Sequence, residues 1–248
     1  MIAKTHKATG ATTTFVFDAQ NTLVQVNMPG KTVEFRYDGL GRRFEKSVNG
    51  VATRWVYDND EIIAEIDGTG AVVARYLHGV GVDEPALMQR GGVRYWFHAD
   101  GLGSVKQLSD MEAKVLASYM YGSFGEIKER TGMATQPYTY TGREFDEETG
   151  LYYYRARYYD AHQGRFVSED PFGIDANDYL YVSNSPYNFY DPYGLQGEGL
   201  YDWFKQIVTV ALQPVADFSA GTADVLTFGA TRSIRQTVGI DREVEEGS

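Results

Sequence analysis

The chain has 248 residues, 34 of them acidic against 23 basic, for a formal charge of −11; such a surface is repelled by a phosphate backbone, so this segment is not expected to bind nucleic acid. It contains no cysteine, which excludes disulfides, thiolate metal sites and cysteine nucleophiles. No apolar run reaches the roughly 18 residues of a membrane span, and residues 1–10 (MIAKTHKATG) lack the apolar stretch of a cleavable signal peptide.

With 19 Tyr, 13 Phe and 27 Gly, the composition favours many short strands joined by tight turns, because aromatic side chains suit pleated half-buried surfaces and glycine supplies positive φ. Residues 1–12 read as an N-terminal extension. Beyond them, Phe17-Asp18, Tyr37-Asp38 and Tyr57-Asp58 recur every twenty residues and close the segments TTFVFD, TVEFRYD and TRWVYD. The polarity alternates: Val33, Phe35 and Tyr37 fall on one face and Glu34 and Arg36 on the other, as in a strand buried on one side. Pro29-Gly30, Asp38-Gly39 with Gly41, Asn49-Gly50 and Asp67-Gly68 with Gly70 supply hairpin turns. The pattern loosens but persists through Tyr76, Tyr95, Phe97, Tyr119 and Tyr121. Residues 13–137 are therefore expected to form a run of hairpins in one long, twisted antiparallel sheet; an ordinary β-sandwich gives no reason for a fixed period.

These aromatic-Asp units, each followed by a glycine turn, resemble the YD repeats of RHS, teneurin and insecticidal toxin-complex proteins. From Tyr138 onward, TGREFDEETGLYYYRARYYD, GRFVSEDPFG and NFYDPYGL resemble the RHS-associated core, which assigns residues 138–195 to that element. The resemblance implies a mainly β fold in which the repeats form part of a shell around a passenger and the core forms a plug. It also implies an aspartyl autoprotease that cuts after the DPxGL motif. Carried over by motif, the two catalytic carboxylates are Asp170 (SEDPFG) and Asp191 (YDPYGL), the associated arginine is Arg157 (RARYYD), and the bond cut is Leu195–Gln196.

Two close carboxylates that share a proton supply both the base and the acid that peptide hydrolysis requires, and a guanidinium beside them orients and stabilises charge. The plain alternative is that Asp170-Pro171 and Asp191-Pro192 are only turns whose carboxylates cap backbone amides. Arg155 shares the strand parity of Arg157, as Tyr153 shares that of Tyr159, and so competes for its role; Arg165 is a weaker substitute. Asp160, Asp175 and Asp178 read as solvated turn residues. His6, His78, His98 and His162 are scattered without ligand spacing and read as structural. No GxSxG, HExxH or Walker loop is present, and no metal or cofactor is called for.

Residues 196–248 read as a helical connector at the start of a variable passenger. Leu200, Trp203, Phe204, Ile207, Val208, Ala211 and Leu212 recur at three- and four-residue spacing, which predicts an amphipathic helix over Gly199–Leu212, ended by Pro214. No toxin active site is visible there. The expected partners are the chain's own C-terminal passenger, an upstream shell segment or delivery component, and an immunity protein for a downstream toxin; membrane contact is disfavoured. The expected setting is a bacterial effector, cytoplasmic before export and delivered by a specialised secretion or toxin system. A non-enzymatic YD-repeat module for adhesion or passenger chaperoning is the alternative. The strand TTFVFD is expected to expose an edge unless another chain, or residues 1–10 folding back, covers it.

Overall fold

A computed structural model describes residues 2–5, 10–171, 177–195 and 198–199, and residues 1–198 form one compact unit. Among the described residues there is no α-helix; two single 3-10 turns, Tyr140–Gly142 and Val182–Asn184, interrupt an otherwise β architecture. The helix expected over Gly199–Leu212 lies, from Leu200 on, outside the described residues.

Thirteen antiparallel strands follow one another in chain order: β1 (Ile2–Thr5), β2 (Thr12–Phe17), β3 (Leu23–Met28), β4 (Lys31–Tyr37), β5 (Arg43–Val48), β6 (Val51–Asp58), β7 (Glu61–Ile66), β8 (Val72–His78), β9 (Pro85–Arg90), β10 (Val93–Ala99), β11 (Val105–Ser109), β12 (Val115–Tyr121) and β13 (Ile127–Gly132). In β4 the alternation holds, with Val33 and Phe35 buried and Glu34 and Arg36 exposed. In a meander of this kind, two strands and two turns return the chain to the same end of the sheet, which is the physical content of the twenty-residue period. At that end the strand register slips just before Phe17, Tyr37, Tyr57, His78, Ala99 and Tyr121. In each case the extra residue lies on the following strand, at Val24, Phe44, Ile63, Ala86, Lys106 and Lys128, and such a bulge raises local twist. The phenols at these positions donate to carbonyls of the preceding hairpin, Tyr37 Oη to Leu23 O at 2.6 Å, Tyr57 Oη to Arg43 O at 2.8 Å and Tyr121 Oη to Val105 O at 2.7 Å. His78 takes the same place with Nε2 2.9 Å from Ile62 O.

The aspartates after the strands act as turn caps. Oδ1 of Asp18, Asp38, Asp67, Asp100 and Asp110 each accepts from the amides two and four residues on, at 2.9–3.1 Å. Residues 1–10 do supply a strand: β1 pairs with β2, Ile2 opposite Phe15 and Thr5 opposite Thr12, and Lys4 Nζ reaches Asp160 Oδ2 at 2.5 Å.

After β13 the chain forms a second, four-stranded sheet: β14 (Glu144–Asp146), β15 (Leu151–Tyr154), β16 (Arg157–Asp160) and β17 (Arg165–Phe166). Its central strands are buried on both faces. Tyr153 and Tyr158 pack with Phe15, Leu23, Val26, Val33 and Phe35 of the large sheet, whereas Tyr152, Tyr154 and Tyr159 pack with Tyr140, Phe166 and Tyr181. Burial on both sides accounts for the unbroken run of tyrosines, each of which brings a large apolar body and a hydroxyl that needs a partner. Buried ion pairs join the two sheets: Arg43 of β5 contacts both Asp146 and Glu144, the latter at 2.7 Å, and Lys46 contacts Asp146 at 2.8 Å.

Candidate functional site

The β15–β16 hairpin turns through Arg155 and Ala156, and Arg155 adopts φ +55°. This turn resets the strand parity: Tyr154 lies opposite Arg157 and Tyr152 opposite Tyr159. Arg155 and Arg157 therefore do not share a strand face, and Tyr153 and Tyr159 face different clusters, contrary to the parity expectation. Arg157 is buried, with 3% exposure, and its guanidinium carbon lies 3.8 Å from the centre of the Phe166 ring.

Arg157 brings the candidate residues together. Its Nη2 lies 2.8 Å from Asp170 Oδ2 and 3.9 Å from Asp191 Oδ2, so one nitrogen stands between the two carboxylates, which are separated by no more than those two distances combined. Its Nη1 donates to Asp178 O at 2.7 Å and its Nε donates to Gly194 O. Asp178 thus takes part through its backbone and is partly buried rather than solvated; Asp160, also expected in solvent, is 2% exposed. Asp175 and Gln196 lie outside the described residues.

Asp191 opens the turn Asp191-Pro192-Tyr193-Gly194-Leu195. Its Oδ1 accepts from the amides of Tyr193 at 3.2 Å, Gly194 at 2.8 Å and Leu195 at 3.2 Å, while Oδ2 faces Arg157. The same turn is pinned to the hairpin by Ala156 N donating to Tyr193 O at 3.1 Å. Gly194 has φ +68°, and a Cβ there would stand 2.3 Å from Tyr154 O, so only glycine fits. Burial pushes the Asp191 carboxyl up to about 6, against the opposing pull of the three amides and Arg157. One guanidinium facing two carboxylates leaves a negative charge uncompensated, and in a buried site that charge is relieved by keeping one proton.

The other candidates go elsewhere. Arg165 lies against the Tyr179 ring, 4.6 Å from its centre. Arg155 binds Pro192 O and forms ion pairs with Asp83 at 2.9 Å and Glu61 at 3.4 Å. Asp83, with 4% exposure, also accepts from Arg143 at 2.5 Å; no motif around it marked it in the sequence. Among the described residues no cluster of three His, Cys, Asp or Glu side chains is arranged to hold a metal ion.

A long meander with aspartate-capped turns and recurring aromatics that bind the preceding hairpin, packed on a tyrosine-rich sheet that is followed by an aspartate-headed turn, defines a YD-shell protein. The chain belongs to the teneurin YD-shell family, whose match covers residues 4–198. It is 34% identical over 197 residues to the tRNA3(Ser)-specific nuclease WapA of Bacillus spizizenii, covering 73% of this chain and 8% of that one. It is 31% identical to toxin protein Tse5 of Pseudomonas aeruginosa, over 65% of this chain and 15% of that one. To double-stranded DNA deaminase toxin A of Burkholderia cenocepacia it is 26% identical, over 79% and 16%. Among solved structures, TcdB2-TccC3 superposes with a TM-score of 0.61 at 24% identity, over 74% of this chain and 10% of that one, a likeness of fold. The chain spans well under a fifth of the length of these relatives.

Proposed function

We propose that residues 138–195 cut the chain once, after Leu195, and so separate the YD sheet from a C-terminal passenger. The observation that carries this reading is the placement of Arg157: its guanidinium lies between Asp170 and Asp191 and holds the carbonyl of Gly194, one residue before the bond. Ion-paired Asp170 suits the base that takes a proton from water as the water oxygen attacks the Leu195 carbonyl carbon. Asp191, which burial keeps protonated up to about 6, suits the acid that delivers a proton to the Gln196 nitrogen as the C–N bond breaks. The products are a Leu195 carboxylate and a new amino terminus at Gln196. Because Asp191 already binds the Leu195 amide, the reaction is intramolecular, where positioning alone contributes about 7 to 11 kcal/mol, and no substrate pocket is required.

The relatives named as a nuclease, a deaminase toxin and a toxin support a toxin passenger beyond residue 196; an immunity partner for it, an upstream shell segment and delivery by a bacterial secretion or toxin-complex system belong to the same proposal. Intact-mass measurement under denaturing conditions tests the central step. The wild-type chain should give two pieces, the smaller beginning at Gln196, and Asp170→Asn and Asp191→Asn should each stay whole, since an amide does not shuttle the proton. Cutting at the same bond in either variant returns Asp191 to the role of a cap for the Tyr193, Gly194 and Leu195 amides in a non-enzymatic module.

A further inference from the structure

The cleavage turn is gripped by two arginines of the same hairpin, but only one of them touches the carboxylate pair. Arg155 donates to Pro192 O, and its guanidinium carbon lies 5.0 Å from the centre of the Tyr193 ring. What holds Arg155 comes from the large sheet, more than seventy residues earlier. Asp83, in the loop 79–84 between β8 and β9, receives Arg155 Nη2 on Oδ1 at 2.9 Å and Arg155 Nη1 on Oδ2 at 3.2 Å, a bidentate pairing that fixes the plane of the guanidinium. Glu61, at the start of β7, contacts Arg155 at 3.4 Å and accepts the Asp83 amide at 3.2 Å.

The loop itself is seated by the core. Asp83 adopts φ +61° and its Oδ1 accepts from Arg143 Nη1 at 2.5 Å, while Arg143 donates to Tyr153 O through Nε at 3.1 Å and Nη2 at 2.8 Å. Gly142 is the point of closest approach: a Cβ there would stand 2.2 Å from Asp83 O. The Gly142-Arg143 pair is thus shaped to receive this one loop. Asp83 is buried, and its carboxylate would be left uncompensated without its two arginines.

From this geometry we infer that Arg155 is a positioning residue for the cleavage turn, and that docking of loop 79–84 through Asp83 licenses the cut. Before the loop docks, Arg155 lacks the bidentate pairing that fixes its plane and keeps only the longer contact with Glu61; after it docks, Arg155 holds Pro192 O and the turn carrying the Leu195 carbonyl is held against Arg157. The reaction therefore waits for the repeat sheet to close on the core. This rests on the cleavage reading above.

The test is a time course of cutting during cell-free synthesis of the full chain, followed by intact mass. Arg155→Ala should slow the cut on the order of a hundredfold, the scale of a misplaced reacting group, and added methylguanidinium should restore about a tenth or more of the loss, which a general structural defect does not allow. Asp83→Asn should slow it too, and the Asp83→Asn, Arg155→Ala double variant should be no slower than Arg155→Ala, because both act through one contact. Arg155→Lys keeps the charge that Asp83 needs and covers an alanine variant that does not fold: it should melt at the wild-type temperature and still cut more slowly. Wild-type cutting by Arg155→Lys or Arg155→Ala, a slowed Arg155→Ala that methylguanidinium leaves unchanged, or multiplicative effects in the double variant each overturn the proposal. A wild-type chain that never cuts sinks the cleavage reading and this one together, whereas a cutting wild type beside an equally fast Arg155→Ala sinks only this one.

Discussion

Asp191 holds its proton more tightly in the folded chain than in the unfolded one, since burial lifts it from 3.8 to about 6. The sign of the stability effect follows: below 3.8 the carboxyl is neutral in both states and costs nothing, and as pH rises through 6 the folded state must either keep a proton or bury a charge. The full cost above 6 is about 3 kcal/mol. In an Asp170→Asn background that keeps both proteins whole and leaves Arg157 facing Asp191 alone, the burial cost persists in reduced form, so Asp191→Asn should raise the urea midpoint at pH 8 and leave it nearly unchanged at pH 3.5. Equal midpoints at both values would show that the charge is compensated. The cut itself should slow about tenfold per pH unit above 6, as the acid form is lost. That Asp170, Asp191 and Arg157 come together was legible in the sequence because each sits inside a recognisable motif. Asp83 was not, because its partners Arg143 and Arg155 are 60 and 72 residues away and no local pattern records such a contact. The parity argument that grouped Arg155 with Arg157 failed because it assumed an uninterrupted strand, and a left-handed residue at the turn breaks the count.

At the level of the repeat, the sequence showed the period but not the reason for it. Asp18 and Asp38 cap five-residue turns through Oδ1, whereas Asp58, from the same sequence unit, lies at the end of β6 before the tight Asn59-Asp60 turn and makes no such cap. Asp67, Asp100 and Asp110 do the capping work without a preceding tyrosine. The aromatic and the aspartate are thus separable devices: one staples its strand to the hairpin before it, the other closes a turn. Asp38→Ala should cost about 1–2 kcal/mol, through lost amide partners, and Asp58→Ala less than about 0.5 kcal/mol; chemical denaturation of the two variants distinguishes them. Equal losses would mean that the aspartate matters through charge rather than through the turn.

Across the whole sheet, strand order equals chain order, so only the outer faces of β1 and β13 lack a strand partner among the described residues. The strand content and the meander were legible from alternation and turn signals. The second sheet was less so, because strands buried on both faces, such as LYYY, show no alternation. Short β1 covers the otherwise open edge at Phe15 and is tied to the core through Lys4 and Asp160. Deleting residues 1–10 should uncover the β2 amides and carbonyls and produce concentration-dependent self-association in light scattering, with Val16→Lys, on the face away from the core, reducing it in the deleted chain. A monodisperse truncated chain would show that the β2 edge does not template pairing.

The burial of tyrosines around the second sheet has an optical consequence. Burial pushes the phenols of Tyr138, Tyr154, Tyr158 and Tyr181 well above the ordinary value of 10.0, so the intact fold suppresses their ionisation, and opening the fold releases it. Stability on this account is present below pH 10 and drains away as pH rises further, since the unfolded chain gives up protons that the folded one keeps. The phenolate absorption band, raised by a jump into alkali, should then grow at the rate at which the molecule opens rather than at the speed of proton transfer. These side chains make the protein its own dye for timing that event.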